Sequence, residues 1–356
     1  MKNKIKNKNN GITFGKKICS KQRLSGIIFA RSCCSIGIII YHYFCHSNGN
    51  FKFLFKTGNS TWGFLFVTSF FSISGTVLFY NYSTISSFKS FYFKRWKSIF
   101  PSYYICFIYF FLKNVFRYRK LFYISHWSNL FFSIIGLDGF LAYRFKTYYL
   151  VGEWFLGAII IIYFIYPLLS FLMNINFLII NFIIFAYYLL NYYNNNIIIL
   201  DSRNIVNCIN SFYFGMIAIK FQNLFFKNKI IFIISIIILL FLYFIRISKI
   251  ILLSQIHGFS LYITLVQIGE YVMKCRFTII FIEIGNLSYN IFLFQHLIIL
   301  DVLGVNNPTE WYYHILLLGI TIILTIICAK VLFIVVNNLF QNTLFKKIES
   351  FFIKGI

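Results

Sequence analysis

The sequence predicts an all-α integral membrane protein with about ten membrane-spanning helices. Hydrophobic residues make up 60% of the 356-residue chain and charged residues only 12%, which is too little charge for the surface of a soluble domain of this length. Apolar runs of about 20 residues, the length that crosses a bilayer, recur along the chain. Basic residues lie between these runs, as they do in the cytoplasmic loops of membrane proteins.

The apolar runs define ten predicted spans. They cover residues 25–45, 62–81, 99–116, 148–172, 175–193, 204–221, 229–246, 250–273, 279–301 and 312–338. The boundaries between neighbouring spans at 172–175 and 246–250 are the least clearly marked in the sequence. The first span follows a basic segment, as in a signal peptide, but it is longer than a signal-peptide core and lacks a small-residue cleavage site, so we expect it to be retained. The chain then divides into a basic tail (1–23), a transmembrane domain (24–340) and a second tail (341–356).

The basic residues predict the orientation of the spans. In a soluble protein, a net charge of +25 would suggest a nucleic-acid partner. Here we expect none, because basic residues between apolar spans set topology and contact anionic lipids. The basic segment 1–23 predicts a cytoplasmic N-terminus, and ten spans then return the C-terminus to the cytoplasm. The loop at 113–147 disagrees, because it is basic yet falls outside; a polar, substrate-facing role or a different number of spans would explain this.

The cysteines do not predict a metal centre. None of the eight forms a CxxC pair, and most lie within apolar spans. Such thiols are usually buried and act as small hydrophobic groups. We therefore expect no disulfide framework and no metal site.

Two ionisable residues interrupt the first span. Arg31 and His42 are eleven residues apart, a rise of about 16 Å that places them within about 20° of one helical face. One interpretation is that Arg31 reaches the membrane interface and His42 is a hydrogen-bonded core residue. The other is functional, because ionisable groups inside a span commonly mark an active site or a transport pathway.

A basic cluster, defined as Lys94, Arg95 and Lys97, comes just before Pro101. Proline favours the first turn of a helix, so Pro101 predicts a helix start here. Basic side chains at a helix start can bind phosphate. The alternative is that the cluster only anchors the helix on the cytoplasmic side.

Three further spans contain polar residues. Ser72, Ser74 and Gly75 lie in the second span, where small residues permit close helix packing or line a cavity.

The fourth span opens at Glu153 and Trp154, and Pro167 closes its pattern. A carboxylate at a helix N-terminus interacts favourably with the helix dipole. Glu153 can therefore be interpreted either as a structural residue or as a functional one. Near the end of the chain, Tyr289 and His296 are seven residues apart and share a helix face.

Together these segments resemble the acyltransferase type 3 family of integral membrane acyltransferases. The resemblance runs in order over most of the chain, from the Arg31-to-His42 spacing through FFSISG (70–75) and FYFKRWKSIFP (91–101) to WFLGAIIIIYFIYP (154–167) and LSYNIFLFQH (287–296). Two positions depart from the family pattern. Ser98 stands where many members have a second arginine, and Ile159 stands where many have a glutamate, six residues after Glu153.

The resemblance implies acyl transfer, usually of acetyl, from acetyl-coenzyme A to a hydroxyl of a cell-envelope or capsular polysaccharide or its lipid-linked precursor. It also implies a multi-pass protein of a bacterial cell membrane. With it, His42 becomes the expected general base, or less favourably the carrier of an acetyl-histidine, and Arg31 its partner toward the donor. The basic cluster would bind the coenzyme phosphates. The expected cavity-lining residues are Ser74, Glu153, Trp154, Tyr289 and His296.

Two other functions remain open on sequence grounds. A saccharide exporter or flippase would also carry buried arginine and histidine, although the chain shows neither the inverted repeats nor the broken helices common in transporters. A non-catalytic membrane partner of a glycan synthase is the third possibility. The acceptor, the acyl group and the oligomeric state are not determined by the sequence.

Overall fold

The computed structural model describes residues 25–48, 56–58, 60–122, 124–148, 150–194, 203–245, 251–274, 278–305 and 310–341. Over these residues the protein is all-α and contains no β-strand, as predicted. The predicted tails lie outside the described residues except for Gln341. The orientation of the chain across the membrane therefore stays a prediction.

Each predicted span corresponds to one apolar helix in the described part of the chain. These helices are α1 (Ser25–His46), α2 (Trp62–Tyr82), α3 (Phe88–Tyr118), α6 (Glu153–Ile175), α7 (Leu178–Asn194), α8 (Ile205–Lys220), α10 (Lys229–Phe244), α11 (Ile251–Val272), α12 (Thr278–Val305) and α13 (Trp311–Gln341). Short helices α4 (Leu130–Ile134), α5 (Asp138–Leu141) and α9 (Gln222–Lys227) lie in the connections. Seven of the described helices are long and apolar enough to cross a membrane, whereas α7, α8 and α10 are shorter. The protein is thus a polytopic membrane protein.

Small residues bring α2 and α8 into close contact. A Cβ on Gly75 would collide with the carbonyl of Phe212, and a Cβ on Gly215 would collide with that of Ser72. Ser72 Oγ donates to the carbonyl of Ser211 at 2.9 Å across the same contact. The Ser-Gly segment of the second span therefore packs one face against α8, and this close packing leaves the opposite face of α2 for the cavity described below.

Helix α3 begins earlier than the sequence predicts. Ser87 caps it by accepting from the backbone N–H of Ser90 at 3.3 Å, so the helix starts at Phe88 and Pro101 lies inside it. The prediction that Pro101 opens a helix was therefore wrong. Membrane helices tolerate an internal proline where neighbouring groups compensate for the lost hydrogen bond. As a result, the basic cluster lies within the helix and not at its N-terminus, which excludes phosphate binding by the N-terminus of α3 at this cluster.

Helix α6 also continues through a proline. The sequence predicts that Pro167 closes the fourth span, but the helix extends to Ile175. Ser170 Oγ, one turn later, donates to the carbonyl of Ser83 at 2.8 Å, and Tyr166 donates to the carbonyl of Tyr82, also at 2.8 Å. These bonds hold the helix against the end of α2 on both sides of the proline.

A folded connection between α3 and α6 positions the start of α6. Asp138 is buried and accepts hydrogen bonds from Ser133 Oγ at 3.2 Å and from the Gly139 N–H at 2.9 Å. Tyr103 of α3 donates to the Ser133 carbonyl at 2.8 Å. Burial raises the pKa of Asp138 to about 6. Because α5 packs directly against Gly157 of α6, this network fixes the first turn of α6.

No cysteine among the described residues forms a disulfide. Cys34, Cys106 and Cys208 are buried, in agreement with the expected packing role, whereas Cys45 is exposed. Cys19 and Cys275 lie outside the described residues.

Candidate active site

A cavity of about 380 Å³ lies between α1, α2, α3, α6 and α12. Most of its wall is apolar, but a small number of polar side chains converge on it. The polar and ionisable lining residues are Arg31, His42, Ser74, Arg95, Ser98, Glu153, Tyr163, Asn286, Ser288 and Tyr289. An apolar cavity with a few convergent polar groups is the usual form of a binding or catalytic site.

One end of the cavity contains a histidine–carboxylate arrangement. Glu153 Oε2 lies 3.6 Å from His42 Nε2, and Glu153 Oε1 lies 3.4 Å from His296 Nδ1. The two imidazole rings are 5.4 Å apart, nearly edge to face. The side chains of His42 and Glu153 are only 17% and 14% exposed, so water screens their interaction less than it would screen an exposed surface pair. In this pair the Glu153 carboxylate can orient the His42 imidazole as a base and stabilise the imidazole when it is protonated.

The backbone before α6 aims the Glu153 carboxylate. Gly152 has φ +85° and Glu153 has φ +39°. A positive φ is uncommon for a side-chain-bearing residue and costs of order 1–3 kcal/mol. Val151 and Gly152 are buried and α5 packs against Gly157, so packing around the start of α6 restrains this conformation. Strain of this kind concentrates at functional sites, which favours a functional Glu153 over a purely structural one.

The cavity also contains two guanidinium groups. Arg31 lines it from α1 and Arg95 from α3, and both lie near Tyr163 of α6. Neither arginine forms an ion pair with a carboxylate among the described residues, and Arg95 Nε is buried without a hydrogen-bond partner. Arg95 instead lies over the rings of Tyr82 and Tyr163, at 5.2 and 5.8 Å. Two partly buried cations, neither paired with a carboxylate among the described residues, make this part of the cavity suitable for an anionic ligand.

The structure brings together most of the site residues that the sequence singles out. Those lining the cavity are Arg31, His42, Ser74, Arg95, Glu153 and Tyr289. His296 is not part of the lining but joins the site through Glu153. Tyr289 donates to the carbonyl of Ile99 at 3.0 Å, which ties α12 to α3 across the cavity.

Three of the expected site residues lie elsewhere. Trp154 follows Glu153 on α6, is partly buried and packs against the hydrophobic core. Lys97 lies over the ring of Phe340 at 4.6 Å, and Lys94 lies near the ring of Tyr82 at 5.8 Å. Among the three members of the basic cluster, the cavity lining therefore includes Arg95 alone.

Sequence reasoning did not select Tyr163, Asn286 or His46. Asn286 lies three residues before Tyr289 in an apolar span, so shared helical position was an available signal. His46 lies four residues after His42 and its ring is 4.8 Å from that of His296; the spacing was visible, but the contact with α12 was not. Tyr163 carries no such signal within a run of isoleucines and aromatic residues.

Within the described part of the chain, the site thus combines a cavity, a mostly buried histidine–glutamate pair and two arginines that form no ion pair with a carboxylate. Such a set can bind an anionic donor and remove a proton from a hydroxyl. No protein-family model, curated protein or solved structure matches this chain. The assignment of function therefore rests on the residues of the site.

Proposed function

We propose that the protein is a membrane O-acyltransferase that moves an acyl group, usually acetyl, from acetyl-coenzyme A to a hydroxyl of a cell-envelope saccharide. The observation that carries the proposal is that Arg31, Arg95 and the His42–Glu153 pair line one cavity. Groups suited to an anionic donor and a base suited to a hydroxyl acceptor thus meet in one space. The sequence resemblance supplies the donor and the acceptor class.

In this proposal His42 is the general base. A proton on Nε2 faces Glu153, at 3.6 Å, and leaves the Nδ1 lone pair for the acceptor hydroxyl. The hydroxyl oxygen attacks the thioester carbonyl as its proton passes to His42. The carbon–sulfur bond then breaks, and the imidazolium returns the proton to the coenzyme A thiolate. Glu153 stabilises the imidazolium between these two proton transfers.

The two arginines bind the donor. Acetyl-coenzyme A carries phosphates, and guanidinium groups bind phosphate through charge-assisted hydrogen bonds. A cavity of about 380 Å³ is smaller than the whole coenzyme, so the acyl-bearing arm enters it and the nucleotide remains at its mouth. In this proposal Arg95 binds the phosphates, and Arg31, which lies on the same helix as His42, binds the donor nearer the base.

The rival function is a saccharide transporter without a covalent step. The two functions differ in one product, free coenzyme A. Purified protein supplied with acetyl-coenzyme A and extracted envelope glycan should release coenzyme A and acetylate the glycan. Absence of both products in correctly folded protein, together with saccharide movement across a vesicle membrane, would favour the transporter.

The decisive variant is His42→Ala. Loss of a general base costs about 10²–10⁴-fold in rate, so His42→Ala should lose glycan acetylation while the protein still inserts and accumulates. Arg31→Lys keeps the charge but not the planar fork and should retain partial activity, whereas Arg31→Ala should retain little. Near-normal acetylation by His42→Ala at normal expression would overturn the proposed mechanism and make His296 the next candidate base.

A further inference from the structure

Three histidines meet at one end of the cavity. His42 and His46 are four residues apart on α1 and therefore share a helix face, and His296 approaches them from α12. One ring nitrogen from each residue lies within 4.8 Å of the others. Two histidines at this spacing on a helix are a recurrent way to present ligands to zinc. These three residues are called the histidine cluster below.

A carboxylate adds a fourth possible metal ligand to the three histidines. Glu153 lies within 3.6 Å of His42 Nε2 and 3.4 Å of His296 Nδ1. Glu153 Oε1 and His296 Nδ1 are nevertheless buried without a hydrogen-bond partner in the described part of the chain, so the two atoms are close but not aligned for a direct bond. Unpaired buried polar atoms are costly. A cation held between them would satisfy both atoms.

The ligand chemistry selects the ion. Imidazole nitrogen with one carboxylate oxygen is a typical set for Zn²⁺ and neighbouring transition metals, whereas Mg²⁺ and Ca²⁺ prefer oxygen ligands. A tetrahedral site with Zn–N bonds of about 2.0–2.1 Å has its nitrogens about 3.3 Å apart. The longest separation here, within 4.8 Å, needs to shorten by about 1.5 Å, which side-chain rotation at the last turn of α1 can supply.

We propose that the histidine cluster and Glu153 bind one divalent transition-metal ion of the zinc class. A metal on His42 occupies the ring and ties down Glu153, so the metal-bound protein lacks a free base. This consequence, reversible inhibition by zinc, rests on the proposed acyltransferase function. The binding of the metal ion does not depend on that function.

The first test measures binding alone. The purified full-length protein is treated with a chelator and desalted, then titrated with Zn²⁺ by calorimetry and with Co²⁺ by visible absorption. We expect one ion per chain with a tetrahedral cobalt spectrum. Loss of an outer-shell partner commonly weakens metal binding about 10–100-fold, so loss of a ligand in His46→Ala or His296→Ala should weaken it at least about 10-fold. His126→Ala, in an exposed connection, is the matched control and should bind normally.

Replacement of one metal ligand by another distinguishes loss of a ligand from misfolding of the variant. His46→Cys substitutes one zinc ligand for another, so it should restore binding and add thiolate-to-cobalt charge-transfer absorption. Equal zinc affinity in the wild type and His46→Ala, or a His46→Cys variant that binds cobalt without the thiolate band, would overturn the proposal.

The second test measures the consequence. Coenzyme A release is followed with added Zn²⁺ and again after excess chelator, and each variant is compared with its own rate in chelator. We expect zinc to suppress the wild type and chelator to restore it, with at least about 10-fold more zinc needed for His46→Ala. Metal binding without inhibition would refute the link to the base. An inactive protein that still binds one metal would instead contradict the proposed function and leave the metal site standing.

Discussion

Replacement of Glu153 by glutamine tests the reasoning about the site most directly. Glu153→Gln keeps the size of the side chain and removes its charge beside His42. Two unit charges about 3.6 Å apart interact by about 4–5 kcal/mol at an effective dielectric constant of about 20. Partial exposure of both side chains, 14% and 17%, allows water to reduce this, so we take about 2 kcal/mol as the lower bound. That value corresponds to a fall of about 30-fold in kcat, and 4 kcal/mol to about 1,000-fold.

The assay is coenzyme A release at saturating acetyl-coenzyme A, in chelator so that bound metal does not affect the comparison. Because the carboxylate acts on the protonated base, kcat should fall more than the KM for the donor rises. Glu153→Asp, shorter by one methylene, should be intermediate. Glu283→Gln is the control, because Glu283 is 61% exposed and forms a surface ion pair with Lys330, at 3.9 Å.

A double-mutant cycle separates this effect from a general loss of structure. If Glu153 acts through His42, then Glu153→Gln should add little to the defect of His42→Ala. A Glu153→Gln variant with normal kcat, or one whose defect is fully additive with that of His42→Ala, would refute the pairing as a catalytic device.

Three further predictions concern the donor, the packing and the pH dependence of stability. Arg95→Ala should raise the acetyl-coenzyme A KM about 10-fold or more, since a charged hydrogen bond is worth about 1.5–3 kcal/mol. Lys97→Ala is the control and should raise the KM less, because Lys97 lies outside the cavity lining. An unchanged KM in Arg95→Ala would mean that Arg95 serves only to set the topology of the helix. Gly215→Ala should destabilise the protein by about 1–3 kcal/mol through the collision between α8 and α2, which should lower the melting temperature in detergent. Gly319→Ala is the control and should not lower it, because no atom of the described residues lies within 4 Å of a Cβ at Gly319. The folded-state pKa of Asp138, about 6, lies above its usual value of 3.8, so the stability gained from its protonation is fully present below about pH 4 and is lost as pH rises through about 6. The melting temperature should therefore fall more between about pH 5 and 7.5 in the wild type than in Asp138→Asn, and equal slopes would contradict this.

The sequence by itself determined the features that depend on local composition. Ten apolar runs of bilayer length predict ten helices because backbone groups in hydrocarbon must pair within their own segment, and the described residues contain a helix at each of them. The sequence also predicted which residues share a face of one helix. Arg31 and His42 share a face of α1, and both line the cavity. The start of α3 was misplaced, because the Ser87 cap is a weaker sequence signal than a proline ten or more residues later.

The tertiary structure decided which distant residues meet. Glu153, His42 and His296 are separated by more than a hundred residues of chain, and no periodicity relates positions on different helices. The carboxylate illustrates the difference. Sequence spacing alone does not bring Glu153 to His42, whereas the left-handed backbone at Gly152 and Glu153 sets the direction in which the side chain leaves the first turn of α6, and its Oε2 lies 3.6 Å from His42 Nε2. That conformation is held by packing of the preceding connection against α6, and packing between distant segments is the information that a hydropathy pattern does not contain.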